Sequence, residues 1–206
     1  PIGAGSCTGS EGCYSASGAI GAASCNGFEA CYSGSGAVSG GSCVGLRACY
    51  NEVGPIGAGS CVGLEACNGN TGSVGAGSCN NTHACYATGS VASGACNSDY
   101  ACERALGPIP TGSCVGYAAC YWARRTIGAN ACIGSEACRG VEYDPNVRGA
   151  IGPNACAGNS ACFFSTGVIA DTACLGDNAC KDTRGSIGSR SCLSASSCAG
   201  TINPIG

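Results

Sequence analysis

The 206-residue chain has no methionine, one tryptophan, one histidine and only 10% charged residues. No apolar stretch approaches the roughly 18 residues needed to cross a bilayer, so no membrane span is expected. Runs of lysine or arginine are missing too. With a formal net charge of −3, nothing marks nucleic acid or an anionic membrane surface as a partner. The 3.6-residue apolar period of a helix appears nowhere, and 37 glycines would destabilise helices. Zinc sites favour C-x2-C or C-x4-C pairs, usually with histidine. Neither spacing recurs here and the single histidine is His83, so no metal or other cofactor is expected.

What the chain has in excess is cysteine. Its 22 cysteines point to a disulfide scaffold folded in an oxidising compartment, hence a secreted, extracellular or cell-surface protein. They follow an internal repeat. The first cysteine of each pair falls at Cys7, Cys25, Cys43, Cys61, Cys79, Cys96, Cys114, Cys132, Cys156, Cys174 and Cys192. The step is 18 residues except for 17 between Cys79 and Cys96 and 24 between Cys132 and Cys156. The second cysteine always follows six residues later, at Cys13, Cys31, Cys49, Cys67, Cys85, Cys102, Cys120, Cys138, Cys162, Cys180 and Cys198.

Other columns keep the same step. Ile2, Ile20, Val38, Ile56, Val74, Val91, Ile109, Ile127, Ile151, Ile169, Ile187 and Ile205 form an aliphatic stripe that should be buried. Glycine recurs two residues after the first cysteine (Gly9, Gly27, Gly45), where a turn needs a permissive backbone. Short strands separated by glycine turns at a fixed period imply stacked coils. The expected fold is all-β: a single disulfide-stapled parallel β-solenoid of eleven coils spanning residues 1–206. Its length would be about 50 Å at roughly 4.8 Å per coil. The extra residues around 139–150 would form an outward loop.

Divided into sixes, residues 56–79 read IGAGSC, VGLEAC, NGNTGS, VGAGSC. This resembles the hexapeptide repeat of left-handed parallel β-helices, and nearly the whole chain can be so divided. The resemblance implies a left-handed, three-sided prism. A second likeness is local. Residues 6–13, SCTGSEGC, resemble the coil motif of disulfide-rich beetle antifreeze proteins, which also place cysteines six apart within one coil. Those coils have 12 residues and the opposite hand.

Cysteines could bridge neighbouring coils or pair within a coil. Strand spacing permits the first. The constant C-x5-C spacing, beside intervening segments of 10 to 17 residues, favours the second: Cys7–Cys13, Cys25–Cys31 and so on to Cys192–Cys198.

No catalytic residue is assigned and no enzyme is expected. Many hexapeptide-repeat proteins are acyltransferases that need a histidine base, but His83 occupies a variable repeat position read as solvent-facing. Glu29, Glu65 and Glu136 share a column without being consecutive, as on a solvated face. Ice binding, the alternative that the antifreeze likeness suggests, calls for a regular threonine array. Thr8, Thr71, Thr82 and Thr88 form none. Tyr14, Tyr32, Tyr50, Tyr86, Tyr121 and Phe163 follow the second cysteine and should form an aromatic row. That row could contact proteins or hold sugar rings, giving a carbohydrate-binding alternative, or simply shield the disulfides. Asn80, with Thr82, matches an N-glycosylation acceptor pattern.

The sequence enters its first repeat at Pro1, Ile2 and Gly3 and stops two residues into a twelfth, at Ile202, Pro204, Ile205 and Gly206. It shows no atypical capping segment. These residues are the expected assembly interface. The functional expectation is a self-assembling structural protein, the subunit of a head-to-tail extracellular filament or surface fibre.

Overall fold

The computed structural model describes residues 1–140 and 150–206. The expected loop at 139–150 lies, for residues 141–149, outside the described residues. Each repeat is one coil, numbered here from its aliphatic residue: coil one begins at Ile2, coil two at Ile20, coil eleven at Ile187.

Backbone hydrogen bonds run from coil to coil in one register. Ile20 N donates to the Pro1 carbonyl at 2.9 Å, and Gly21 N to the Val38 carbonyl at 2.7 Å. Cys25 N reaches Ser42 O at 3.0 Å on one side, while Cys49 N reaches Ala30 O at 2.7 Å on the other. Stacking therefore satisfies the polar backbone that a chain so rich in glycine would otherwise leave in the core.

The expected all-β parallel β-solenoid is not what these bonds build. The described residues contain no helix and no sheet; extended pairing is confined to isolated parallel bridges, such as Ile20 to Val38 and Val44 to Val62. The left-handed, three-sided prism goes with it. The physical reason lies in four or five described backbone positions per coil that have positive φ. In coil one these are Gly5 (φ 67°), Cys7 (60°), Glu11 (54°) and Ser15 (55°); in coil three they are Gly41, Cys43, Gly45, Arg47 and Asn51. A strand needs consecutive extended residues. Left-handed corners two to four residues apart break up the chain from Gly5 to Ser15; in the longer stretch from Ser15 to Ala23, a bend at Gly18 and a turn at Ala22 confine the bridging to Ile20.

Inside the coils lie the aliphatic column, the cysteine pairs and a column of alanines. Ile56, Ile109, Ile151, Ile169 and Ile187, the alanines Ala30 to Ala179, and the cysteines from Cys25 to Cys180 are all nearly or fully buried. Glycine is required where coils approach most closely. A Cβ on Gly36 would stand 1.9 Å from the carbonyl oxygen of Gly54.

Candidate functional site: a disulfide spine and an aromatic, charged face

All eleven disulfides join the two cysteines of one coil, with Cα atoms 5.4–5.6 Å apart. Closing each short segment at its base holds the left-handed first cysteine in place, a conformation that costs a non-glycine residue about 1–2 kcal/mol. Successive disulfides stack. The sulfurs of Cys25, Cys31 and Cys43 lie within 4.8 Å of one another. Each is consumed by a disulfide and no free cysteine exists, so these sulfurs offer a metal no thiolate.

Beside the sulfurs runs a ladder of serine hydroxyls. Ser24 Oγ donates to Ser39 O at 2.8 Å and accepts from Ser42 N at 3.2 Å. Ser42 repeats the pattern with Gly57 O and Ser60 N, at 2.7 and 3.3 Å. These serines are fully buried. A hydroxyl, donor and acceptor at once, can splice two coils where alanine could not.

A second interior column holds the residue nine after each first cysteine. Asn70 Nδ2 donates to Gly72 O at 3.0 Å, Thr88 Oγ1 to Cys102 O at 2.5 Å and Thr183 Oγ1 to Cys198 O at 3.0 Å. Glu52 occupies the same column, 1% exposed, and neither carboxylate oxygen has a partner. Burial alone pushes its carboxyl up to about 8. Protonated, Glu52 becomes a donor like its column neighbours.

Outside, large side chains gather on the face carried by each C-x5-C segment and the two residues after it. Tyr14, Tyr32 and Tyr50 stack in sequence, centroids 5.1 Å apart at both steps. Asn68 interrupts this column. Beyond it the rings pair sideways: Tyr86 with His83, Tyr121 with Trp122, Phe163 with Phe164. Cations fill the breaks. Arg139 lies 5.3 Å from the Tyr121 ring centre and 6.0 Å from that of Phe163, and Lys181 lies 5.4 Å from Phe163. Trp122 carries Arg104 at 5.2 Å and Arg124 at 5.7 Å. In the tyrosine run the ring faces are turned on one another, leaving edges and hydroxyls for an outside partner.

A charge ladder borders the rings. Arg47 Nε lies 2.6 Å from Glu29 and its other end 4.0 Å from Glu65. His83 sits between Glu65 at 3.4 Å and Glu103 at 3.3 Å, and edge-on to Tyr100. Thus His83 is half-buried and bracketed by carboxylates, a setting its variable repeat position did not disclose. The expectation of a solvated acidic column overlooked Arg47, which stands in that column between Glu29 and Glu65 and lies within 4.0 Å of both.

The residues expected at an assembly interface separate by exposure. Ile2 and Ile202 are 66% and 71% exposed, and Pro1, Pro204 and Gly206 are also exposed. Gly3 and Ile205 are partly covered, with Ile205 bridged to Ile187. Asn80 is tied into the stack: Nδ2 donates to Gly59 O at 3.2 Å and Oδ1 accepts from Val62 N at 3.1 Å. Arg125 was not anticipated at all. Standing where most coils have glycine, it reaches two coils on and donates to the carbonyls of Ser165, Thr166 and Gly167.

The described residues include no helix long and apolar enough to cross a membrane. Comparison with known families gives one match, in three overlapping parts covering residues 1–84, 47–121 and 84–195, to a family described as a domain of unknown function, DUF7640. The chain belongs to this family; neither a hexapeptide-repeat nor an antifreeze family is shown. No curated protein matches the chain, and no solved structure does.

Proposed function

We propose that this member of the DUF7640 family is an extracellular structural protein whose copies add to one another by continuing the coil stack, forming filaments. One observation carries the reading, the nature of the contact between coils. Each coil offers one set of groups upward and a different set downward, as when Cys25 N meets Ser42 O and Cys43 N meets Ser60 O. Such a contact is heterologous and does not close on itself, the geometry that builds open filaments. The chemistry that stacks coils within a chain is available between chains.

The disulfide content suits an oxidising, extracellular setting, where eleven bridges would persist. Rigidity follows from the disulfide that closes a short segment of each coil and from the backbone bonds between neighbouring coils.

Electron microscopy and sedimentation of the 206-residue chain test the proposal, with Ile2→Asp as the variant. Ile2 is exposed and contributes little to the core, so the variant should fold. The wild type should form filaments one stack wide and Ile2→Asp should stay monomeric. A wild type that remains monomeric at high concentration, or an Ile2→Asp protein with filaments of normal length, would reject it.

A further inference from the structure

Around coils seven to nine the aromatic, charged face opens into a cavity of about 370 Å³ lined by Tyr121, Trp122, Arg124, Arg139, Phe164 and Thr166. A volume of this order suits a small cyclic ligand. Tyr121, Trp122 and Phe164 bring aromatic rings to this lining, Tyr121 and Thr166 carry hydroxyl groups, and Arg124 and Arg139 bring two guanidinium groups. Arg139 is matched by Glu136. Arg124 has no carboxylate partner among the described residues; its head rests near Trp122.

The surroundings narrow the ligand. Backbone amides here already serve the stack: Trp122 N bonds Glu103 O at 3.0 Å, Gly140 N bonds Tyr121 O at 2.9 Å and Phe164 N bonds Arg139 O at 3.1 Å. A peptide could not dock by adding a strand, so side chains must do the recognising. A long polyanion along the whole face would meet Glu11, Glu29 and Glu65 on coils one to four, where the one cation, Arg47, is spent on Glu29. What fits is a compact ring with apolar C–H faces, several hydroxyls and one anionic group.

We propose that this cavity binds an acidic sugar ring, its carboxylate held by Arg124 and its face laid against the aromatic wall. Arginine's planar fork matches a carboxylate with two parallel hydrogen bonds. This binding does not depend on filament formation.

Trp122 is the only tryptophan, so its emission reports on the cavity directly. Trigalacturonate should change that emission saturably, and 0.5 M salt should weaken the binding. Arg124→Gln should lower affinity about tenfold, the loss expected for one charge-assisted contact. Arg124 is exposed, and an unchanged far-UV spectrum and thermal midpoint verify that the variant is folded. Neutral maltotriose should give no saturable change at the same concentrations. Absence of a trigalacturonate response, unchanged affinity in Arg124→Gln, or equal binding of maltotriose, triaspartate or a thymidine trinucleotide would overturn the proposal.

Discussion

At Gly36 an added methyl group would lie 1.9 Å from the Gly54 carbonyl oxygen and 2.8 Å from Glu52 Oε2; at Gly5 it would meet nothing within 4 Å, but φ is 67°. The two glycines are needed for different reasons, and their substitutions should differ in cost. Gly5→Ala should destabilise by about 1 kcal/mol through backbone strain. Gly36→Ala should cost about 2–3 kcal/mol or more, because coils must separate to admit the methyl. Urea midpoints of the two variants check the order. Glu52 makes a prediction about pH. Its carboxyl, pushed up to about 8 in the fold, titrates near 4.3 in an unfolded chain. The folded protein therefore holds an extra proton between these values. Stability from this residue is fully present below about pH 4.3 and declines as pH rises to about 8. Glu52→Gln keeps the volume and supplies a permanent donor. It should be more stable than wild type by about 2–4 kcal/mol at pH 9, with the gap shrinking toward pH 5. Equal pH dependence in both proteins would contradict the assignment.

A coil is the smallest unit that closes. Its disulfide ties a six-residue step whose first cysteine is held left-handed, while its serine and backbone amides reach into the next coil. Replacing Cys61 and Cys67 together by serine should cost about 2–3 kcal/mol through the freer unfolded chain. The other ten bridges should persist by mass mapping. Arg125 does for coils seven and nine what glycine and backbone contact do elsewhere, through three carbonyl bonds at residues 165, 166 and 167. Arg125→Ala should destabilise by about 2–4 kcal/mol, because buried carbonyls lose their donor. Arg125→Lys should restore only part of this, since an ammonium lacks the guanidinium's fan of donors. Thermal unfolding of the three proteins distinguishes these outcomes.

For the molecule as a whole, the core is narrow. Its buried side chains are one aliphatic residue, two cysteines and a few alanines and small polar groups per coil. These bury little apolar area against the ordering of so many glycines. Bridges worth about 2–3 kcal/mol each should dominate a stability whose usual range is about 5–15 kcal/mol. Reduction without other denaturant should therefore unfold the chain, seen as collapse of the far-UV spectrum and full thiol release. A spectrum unchanged in strong reductant would show that the aliphatic and alanine columns suffice.

Much of this organisation can be read from residue order because it is periodic. The eighteen-residue step, the aliphatic stripe and the cysteine columns recur so regularly that stacked coils follow from counting, and the buried serine ladder lies on one of the same columns. The backbone conformation between those columns cannot be counted out. Nothing in the identity of Cys43 or Arg47 marks a left-handed residue, so the sequence implies strands where the coil instead turns corners. Likewise the variable repeat position of His83 does not disclose that stacking sets Glu65 and Glu103 on either side, nor that of Arg125 its reach to the carbonyls of Ser165, Thr166 and Gly167. Residue order suffices for the repeat and for the inward turn of the aliphatic column, since period and polarity belong to the chain alone. The corners, the buried polar column of Glu52 and Asn70, the charge ladder and the cavity beside Trp122 arise only on folding. Each depends on what the coil above or below presents, and a disulfide and a hydrogen-bonded neighbour can hold conformations that a residue would not choose alone.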